Sequence, residues 1–409
     1  MYHIKEMPET INKVLSRGVE QILPSKKGLA DLMRKRKIRL YLGIDPTSPD
    51  IHLGHTIPLR KLREFQDLGH EVILLFGTFT AQIGDPSART EKRKALTSAQ
   101  ITKNMATYRK QASKILDFKK AKIKYNGDWL ANLSFEDLAE LASHFTVPQL
   151  LERDMFQERV KKGKEIWISE FLYPLMQGYD SVAMNVDLEI GATDQTFNML
   201  VGRKLQKIYN NKEKFVLTTP LLLGLDGRKM SKTYGNTVNL TDPPNEMYGK
   251  LMSLKDELIT EYFKLCTDLP IKEIRELAGE AKKDPMGVKK RLAHEITKMY
   301  HGEKKATEAQ REFERVVQKR EQPKRIPLIQ PKDITIRYGS LPTVFDITKA
   351  ADPEMSTSAV TRLINQGGVE IDNVRYTEPR KEVKLDKDRI VRIGKRGYKK
   401  IKAIKKGKE

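Results

Sequence analysis

Two short segments of the chain carry residues that could bind the phosphates of a nucleotide. The first is HLGH, in which His52 and His55 are three residues apart. On the first turn of a helix this spacing points both imidazoles in the same direction. Gly54 would let a nucleotide approach the backbone, and the helix N-terminus favours negative charge. Considered alone, HLGH is explained as well by chance or packing as by nucleotide binding.

The second segment is KMSKT at 229–233, which follows the apolar run PLLLGL. Lys229 and Lys232 are again three residues apart and lie near Gly227 and Ser231. A flexible loop of this kind can close two positive charges over a polyphosphate. An exposed basic loop is the alternative, but the presence of both segments in this order favours nucleotide binding.

Other nucleotide and metal motifs are absent from the sequence. It contains neither a G-x-x-x-x-G-K-[ST] loop nor a G-x-G-x-x-G turn. His52 is not followed by the Glu of an H-E-x-x-H zinc motif, and the remaining histidines have no motif-like spacing. We therefore predict no protein-held metal, and we assign the phosphates to HLGH and KMSKT.

The elements that position HLGH follow from the pattern around it. Short apolar runs at 38–44 and 71–77 flank a helix-like stretch at 57–68. This strand, helix, strand order predicts a parallel α/β sheet. Ligands of such sheets bind beyond the carboxyl ends of the strands, so 43–50 and 77–90 should line one crevice. The first 36 residues, which Pro24 interrupts, read as helical.

The second half of the chain divides into further segments. Residues 242–318 have the composition and apolar spacing of a helical domain, and 321–333, with three prolines, reads as a linker. Residues 356–368 predict a capped helix that ends in a Gly-Gly turn, and the following VEIDNVRY predicts a hairpin around Asp372 and Asn373. From Lys384 onward basic residues dominate, and we favour a phosphate-contacting surface over a solvated tail.

Composition limits the classes of protein. At 409 residues the chain should form two or three domains, and its net charge of +22 indicates an anionic partner. The one cysteine, Cys266, excludes an internal disulfide and lies in an apolar helical run that predicts core packing. The sequence contains no signal peptide and no apolar run long enough for a membrane span, so we expect a cytoplasmic protein.

With these motifs in place, the sequence resembles the class I aminoacyl-tRNA synthetases and, within them, the tyrosyl-tRNA synthetases. The resemblance is carried by YLGIDPTSPDIHLGH at 41–55, IGDPSART at 83–90, EFLYPLMQGYD at 170–180 and GATDQ at 191–195. It implies an α/β fold with four segments. These are a Rossmann-like parallel-sheet catalytic domain at 1–225, the KMSKT loop with a helical anticodon-binding domain at 226–320, a linker at 321–340, and a small α+β RNA-binding domain of the alpha-L type with a basic tail at 341–409.

The resemblance also implies an activity. Such an enzyme activates L-tyrosine with ATP to give tyrosyl-adenylate and pyrophosphate, and then transfers tyrosine to the 3′ end of tRNA(Tyr). Mg²⁺ would accompany the phosphates, and the enzyme would be a homodimer. These partners are expectations from the family.

Roles for individual residues follow from the same resemblance. Tyr41 and Asp180 would bind the phenol group of tyrosine, which phenylalanine lacks; rejection of phenylalanine by this family is a standard example of such selectivity. Asp85, Tyr173 and Gln177 would bind the ammonium group. Further candidates in the substrate pocket are Asp45, which could instead cap the DPT turn, and Gln195. The residues expected at ATP and pyrophosphate are Thr47, His52, Gly54, His55, Arg89, Arg93, Gly191, Asp194, Lys229 and Lys232.

Several positions differ from the better-known branch of the family. Arg89 stands where a lysine is common, and KMSKT replaces a KFGKT-like loop. Ala192 and Thr193 occupy a stretch that is often Gly-Ser, and Thr196 replaces a tryptophan. These differences predict another branch of the same enzyme.

Three other functions compete with this interpretation. A tryptophan-activating relative should lack the pairing of Tyr41 with Asp180. A small-molecule nucleotidylyltransferase has little use for the helical domain, the terminal module or the positive charge. An RNA-binding or splicing protein that no longer catalyses would not need the complete set of site residues.

Overall fold

The computed structural model of the protein describes residues 9–87, 96–231, 234–318, 326–337, 339–394 and 397–403. The chain forms two compact units, residues 1–302 and 303–409. The strands of the first unit are β1 Gln21–Leu23, β2 Arg39–Ile44, β3 Glu71–Phe76, β4 Lys122–Tyr125, β5 Leu188–Ala192 and β6 Phe215–Thr219. Its helices are α1 Glu9–Val14, α2 Lys26–Lys35, α3 Leu53–Asp67, α4 Thr80–Ile83, α5 Ser98–Met105, α6 Tyr108–Ala112, α7 Gly127–Leu130, α8 Phe135–Ser143, α9 Val147–Leu151, α10 Asp154–Lys161, α11 Ile168–Met184, α12 Thr196–Asn210, α13 Pro244–Met252, α14 Ile259–Cys266, α15 Ile271–Glu280 and α16 Pro285–His301.

The sheet of the first unit has the strand order β1-β6-β5-β2-β3-β4. Its strands run parallel except β1, which pairs antiparallel with β6. The chain therefore builds outward from β2 through β3 to β4, and then returns to place β5 on the other side of β2. The prediction of a parallel α/β sheet is confirmed. The junction of β2 and β5 is the switch point beyond which ligands bind in such sheets.

Strand β1 corrects one expectation. Residues 1–36 read as helical, but Gln21–Leu23 form an edge strand between α1 and α2. The apolar residues keep a helical spacing through Gln21–Leu23, but this segment pairs with strand β6 instead. Pairing with an existing strand edge satisfies backbone groups that a local pattern does not record.

Helices α11 and α12 cross closely beside the sheet. A Cβ atom at Gly178 would lie 2.8 Å from Val201 Cγ1 and 3.1 Å from the backbone nitrogen of Gly202. A Cβ atom at Gly202 would in turn lie 2.7 Å from Ser181 Oγ. Two glycines therefore allow the two backbones to approach, and they bring α11 residues next to those carried by β5 and β6.

Helices α13 to α16 occupy the region that the sequence predicted to be helical. Cys266 ends α14 and is fully buried, as its apolar surroundings predicted. At the end of this helix, Arg60 of α3 donates to the carbonyl oxygen of Thr267 at 2.8 Å. Arg17 donates to the same oxygen at 2.6 Å. The helix that begins with HLGH is thus hydrogen-bonded, through Arg60, to the helical region.

The second unit contains helices α17 Glu303–Phe313, α18 Val344–Ala351 and α19 Thr357–Asn365, and strands β7 Leu328–Ile329, β8 Val369–Ile371, β9 Val374–Tyr376, β10 Arg389–Ile393 and β11 Gly397–Ile401. The strands form one sheet in the order β7-β11-β10-β8-β9, and β7 lies within the predicted linker. The hairpin prediction is confirmed, because Asp372 and Asn373 both have positive φ between β8 and β9. Ser356 caps α19 by accepting from the backbone of Ala359.

In the part of the chain that the structure describes, no helix combines the length and apolar character that a bilayer crossing requires.

Candidate active site

A cleft of about 340 Å³ opens at the carboxyl ends of β2, β3 and β5, within the size range of small-molecule sites. Most of the residues that the sequence singled out line it. They are Tyr41, Asp45, Thr47, His52, Gly54, His55, Asp85, Tyr173, Gln177, Asp180, Gly191, Asp194, Gln195 and Lys229. Arg89, Arg93 and Lys232 lie outside the described residues.

Asp180 and Tyr41 lie together at the buried end of the cleft. Asp180, on α11, accepts hydrogen bonds from Trp129 Nε1 at 2.8 Å and from Asn126 Nδ2 at 3.2 Å. Burial raises the pKa of Asp180 well above its usual value, while these two donors oppose the shift by stabilising the carboxylate. Burial also raises the pKa of Tyr41, so its hydroxyl remains protonated.

A buried ion pair lies directly behind Tyr41. Lys214, which precedes β6, is fully buried and contacts Glu189 of β5. Its ammonium group also donates to Ser181 Oγ at 2.7 Å, and Ser181 Oγ lies 3.1 Å from the Tyr41 hydroxyl. Burial lowers the pKa of Lys214, and the charge of Glu189 opposes that shift.

A second group of polar residues lines the middle of the cleft. The Tyr173 hydroxyl donates to Asp45 at 3.0 Å, and Thr80 donates to the other oxygen of Asp45 at 2.7 Å. Asp85 accepts from Gln195 at 2.7 Å and from the backbone of Ser87 at 2.9 Å. The site therefore holds two carboxylates in fixed orientations beside Tyr173, which suits an ammonium group.

Gln177 joins the two ends of the cleft. Its amide nitrogen donates to Glu189 at 3.1 Å, and its oxygen accepts from Asn198 at 3.0 Å. Asn198 also donates to Gln195 at 3.1 Å, which in turn holds Asp85. A continuous hydrogen-bond network thus runs beneath the cleft from the ion pair to Asp85.

HLGH starts helix α3 at the mouth of the cleft. His52 is the residue that precedes the helix, and its backbone nitrogen donates to His55 Nδ1 at 3.3 Å. The two imidazole rings stack with centroids 3.7 Å apart. A Cβ atom at Gly54 would lie 3.1 Å from the His52 ring, so glycine keeps the first turn of the helix open.

The lysine-bearing loop reaches the same cleft. Lys229 Nζ lies 3.3 Å from the Asp194 carboxylate, and the neighbouring Met230 is buried. Asn236 holds this loop, because it donates to the Lys229 carbonyl at 3.1 Å and accepts from the backbone of Ser231 at 2.9 Å. Two segments that are distant in sequence therefore converge on one space.

The sequence analysis missed several residues that line the cleft or lie directly behind it. Glu189, Asn126 and Thr80 line it. Lys214 and Ser181 lie behind it against Glu189, and Trp129 donates to Asp180. One signal was available, because Glu189 interrupts the apolar strand segment LEIG and burying a carboxylate requires a partner. The identity of that partner depends on the pairing of β5 with β6, which no local motif encodes.

Comparison with known proteins identifies a family and several similar proteins. The family model described as tRNA synthetases class I (W and Y) matches residues 33–318. The tyrosine–tRNA ligase of Thermotoga maritima is 46% identical over 398 residues, covering 96% of this chain and 98% of that protein. The tyrosine–tRNA ligase of Moorella thermoacetica is 43% identical over 394 residues, covering 94% of each.

Solved structures share the fold. The C-terminally truncated mitochondrial tyrosyl-tRNA synthetase of Aspergillus nidulans matches with a TM-score of 0.63 and 23% identity, covering 74% of this chain and 92% of that one. The tyrosyl-tRNA synthetase of Archaeoglobus fulgidus, solved with L-tyrosine, matches with a TM-score of 0.59 and 23% identity, covering 75% of this chain and 100% of that one.

Proposed function

Because this chain belongs to the tyrosine–tRNA ligases of the class I tRNA synthetase family, we propose that its cleft activates L-tyrosine with ATP and transfers it to tRNA(Tyr). The observation that carries the choice of tyrosine is the buried pair of Tyr41 and Asp180 at the closed end of the cleft. A phenol hydroxyl can both accept a hydrogen bond from one hydroxyl and donate a hydrogen bond to one carboxylate. Phenylalanine can make neither bond, so it would desolvate both groups without the hydrogen bonds that tyrosine supplies, at a cost that discriminates strongly.

In the first step, Asp85, Tyr173 and Gln177 hold the ammonium group of tyrosine, and Asp45 and Gln195 orient them. The substrate carboxylate attacks the α-phosphorus of ATP, a bond forms between its oxygen and phosphorus, and pyrophosphate leaves. The protein contributes positioning and stabilisation of charge. No side chain forms a covalent intermediate in this scheme.

ATP would enter between HLGH and the lysine-bearing loop. Thr47, His52 and His55 would contact its phosphates, with Gly54 allowing close approach, and Asp194 with the Gly191 backbone would bind the ribose. Lys229 would move from Asp194 to the departing pyrophosphate, where we also place Lys232, Arg89 and Arg93. In the second step the terminal ribose hydroxyl of tRNA attacks the carbonyl carbon of the tyrosyl-adenylate, an ester bond forms, and AMP leaves.

Mg²⁺ would arrive with the phosphates of ATP. Among the described residues, no cluster of three or more His, Cys, Asp or Glu side chains could cage a metal ion. Mg²⁺ commonly keeps several of its waters and binds to proteins mainly through the phosphates of a substrate. When bound, the ion would neutralise charge on the phosphates, and the residues named above would orient them.

We further propose a cytoplasmic homodimer that binds tRNA through its basic terminal unit. Large apolar side chains are exposed on consecutive helices of the first unit, a feature typical of association surfaces. They are Phe135, Val147, Val160, Trp167 and Ile168. Sedimentation equilibrium of the full chain tests the dimer.

We propose four segments for the chain. They are a catalytic domain at 1–225, a helical anticodon-binding domain at 226–320, a linker at 321–340 and an RNA-binding domain at 341–409.

The experiment that tests the activity is ATP–pyrophosphate exchange without tRNA, measured for each standard amino acid. We expect exchange with tyrosine alone. Exchange with tryptophan would move the chain to the other branch of its family, and no exchange with any amino acid would support a noncatalytic RNA-binding function.

A further inference from the structure

Lys214 is a buried charge that the proposed reaction does not use. Its three N–H groups have three acceptors, which are the Glu189 carboxylate, Ser181 Oγ at 2.7 Å and the Met199 carbonyl oxygen at 3.1 Å. An ammonium group donates only, so Ser181 Oγ must accept in this contact. The proton of the Ser181 hydroxyl is then available for another partner.

Two acceptors lie near that proton. The Tyr41 hydroxyl oxygen is 3.1 Å from Ser181 Oγ, and Glu189 Oε2 is 3.5 Å away. Hydrogen bonds between two oxygens are strongest near 2.7 to 2.8 Å and weaken with distance, so the shorter contact to Tyr41 is favoured. Glu189 also lies within hydrogen-bond reach of the Tyr41 hydroxyl, but its two oxygens already accept from Lys214 and Gln177. When Ser181 donates to Tyr41, the proton of Tyr41 is therefore left for a phenol in the cleft.

Asp180 sets the opposite polarity on the other side of the substrate. Each of its oxygens already accepts one N–H, from Trp129 and from Asn126. Burial opposes ionisation of Asp180, whereas these two donors favour it, and the ionised carboxylate can only accept. A phenol bound between the two groups would therefore accept from Tyr41 and donate to Asp180.

We propose that Lys214 is a positioning residue that acts through Ser181 to hold Tyr41 as the hydrogen-bond donor to the substrate phenol. This inference rests on the proposed function, because it concerns how the same pocket reads tyrosine. Glu189, on the neighbouring strand β5, holds the ammonium group of Lys214 in place. The specificity of the pocket thus includes the direction of a hydrogen bond, which Lys214, Ser181 and Glu189 set through Tyr41.

The probe for this direction is 4-aminophenylalanine. Its amino group donates well to Asp180 but accepts poorly, so a Tyr41 hydroxyl that is fixed as a donor disfavours it. Wild-type enzyme should prefer tyrosine in pyrophosphate exchange. In Ser181→Ala the Tyr41 hydroxyl can turn, so we expect kcat/KM for tyrosine to fall about 3- to 10-fold, the range for one neutral hydrogen bond. The value for 4-aminophenylalanine should fall less or rise.

If Ser181 had a merely structural role, Ser181→Ala would lower kcat/KM for both substrates by the same factor. That outcome would overturn the proposal. In a Tyr41→Phe background, Ser181→Ala should leave the tyrosine to 4-aminophenylalanine ratio unchanged, because the hydroxyl through which it acts is absent. A ratio that still changes there would also count against the relay. Absence of any tyrosine-dependent exchange in the wild type would instead reject the proposed function.

Lys214 itself is tested by the double variant Lys214→Met with Glu189→Gln, which avoids leaving an unpaired buried carboxylate. This double variant should show the same reduced preference for tyrosine over 4-aminophenylalanine that we expect for Ser181→Ala. Lys212→Met is the matched control, because Lys212 pairs with Asp187 outside the cleft and should keep the wild-type ratio. If the double variant does not fold, as thermal unfolding would reveal, Ser181→Ala and its Tyr41→Phe partner still decide.

Discussion

Asp180 concentrates the chemistry of the cleft in one side chain. It is a buried carboxyl group whose pKa burial raises, while hydrogen bonds from Trp129 and Asn126 favour its ionised form. Such a group can bind a neutral hydroxyl strongly because it has lost its own water. Its value for recognition therefore depends on staying ionised.

Replacement of Asp180 by Ala should reduce tyrosine-dependent pyrophosphate exchange by about 100-fold or more, since a buried hydrogen bond to a charged group is lost. Binding of tRNA, measured by filter binding at the same salt concentration, should be unchanged. Asp187→Ala is the control, because Asp187 is buried but pairs with Arg36 away from the cleft. Unchanged exchange in Asp180→Ala would refute the assigned pocket.

The pH dependence of tyrosine activation should report on Trp129. Its N–H stabilises the Asp180 carboxylate and lowers that pKa, so Trp129→Phe should raise the pKa further. Below its pKa the carboxyl carries a proton and no longer accepts from the phenol. We therefore expect the acid limb of kcat/KM for tyrosine to move to higher pH.

The other tryptophan supplies the control for this experiment. Trp167 is about half exposed and lies outside the cleft lining. Trp167→Phe should leave the pH profile in place. An acid limb that does not move in Trp129→Phe would mean that another group governs it.

At the scale of elements, the crossing of α11 and α12 depends on Gly178. An Ala side chain there would meet Val201, Leu205 and the backbone of Gly202 at about 3 Å. We expect Gly178→Ala to lower the free energy of unfolding by about 1 to 3 kcal/mol, measured by urea denaturation. Gly279→Ala on α15 meets nothing within 4 Å and should be neutral or slightly stabilising. Equal stability of both variants would contradict the close crossing.

The sequence predicted those elements whose signal is local. The apolar runs of β2 and β3, the cap of α19 and the Asp-Asn hairpin all appear where their patterns indicated. The cleft residues within short motifs were also identified. The edge strand β1 and the pair Lys214–Glu189 were not, because each depends on which strand lies beside it. Pairing between distant segments is decided by the whole fold rather than by any window of sequence.

At the scale of the whole molecule, the strong positive charge calls for a polyanion. The second unit presents basic side chains at its surface, among them Arg362 on α19 and Lys381 and Lys384 between β9 and β10. They lie on a folded unit of helices and strands that has its own apolar core. A basic surface with a fixed shape can contact phosphates at defined positions.

Arg362→Glu should weaken aminoacylation through a higher KM for tRNA, while pyrophosphate exchange remains at the wild-type level. The dependence of log binding constant on log salt concentration should become shallower by about one, the expectation for one lost phosphate contact. Exchange is the internal control, since it needs no tRNA. An unchanged KM and salt slope would remove Arg362 from the tRNA surface.

The solitary cysteine has a practical consequence for spectroscopy. Cys266 is fully buried, and burial raises the pKa of its thiol to about 12, so at neutral pH it is a poor nucleophile. A cysteine introduced at exposed Tyr234, beside the lysine-bearing loop, would therefore be the single reactive thiol of the chain. A fluorophore attached there could follow the loop during turnover, and the native cysteine could stay in place.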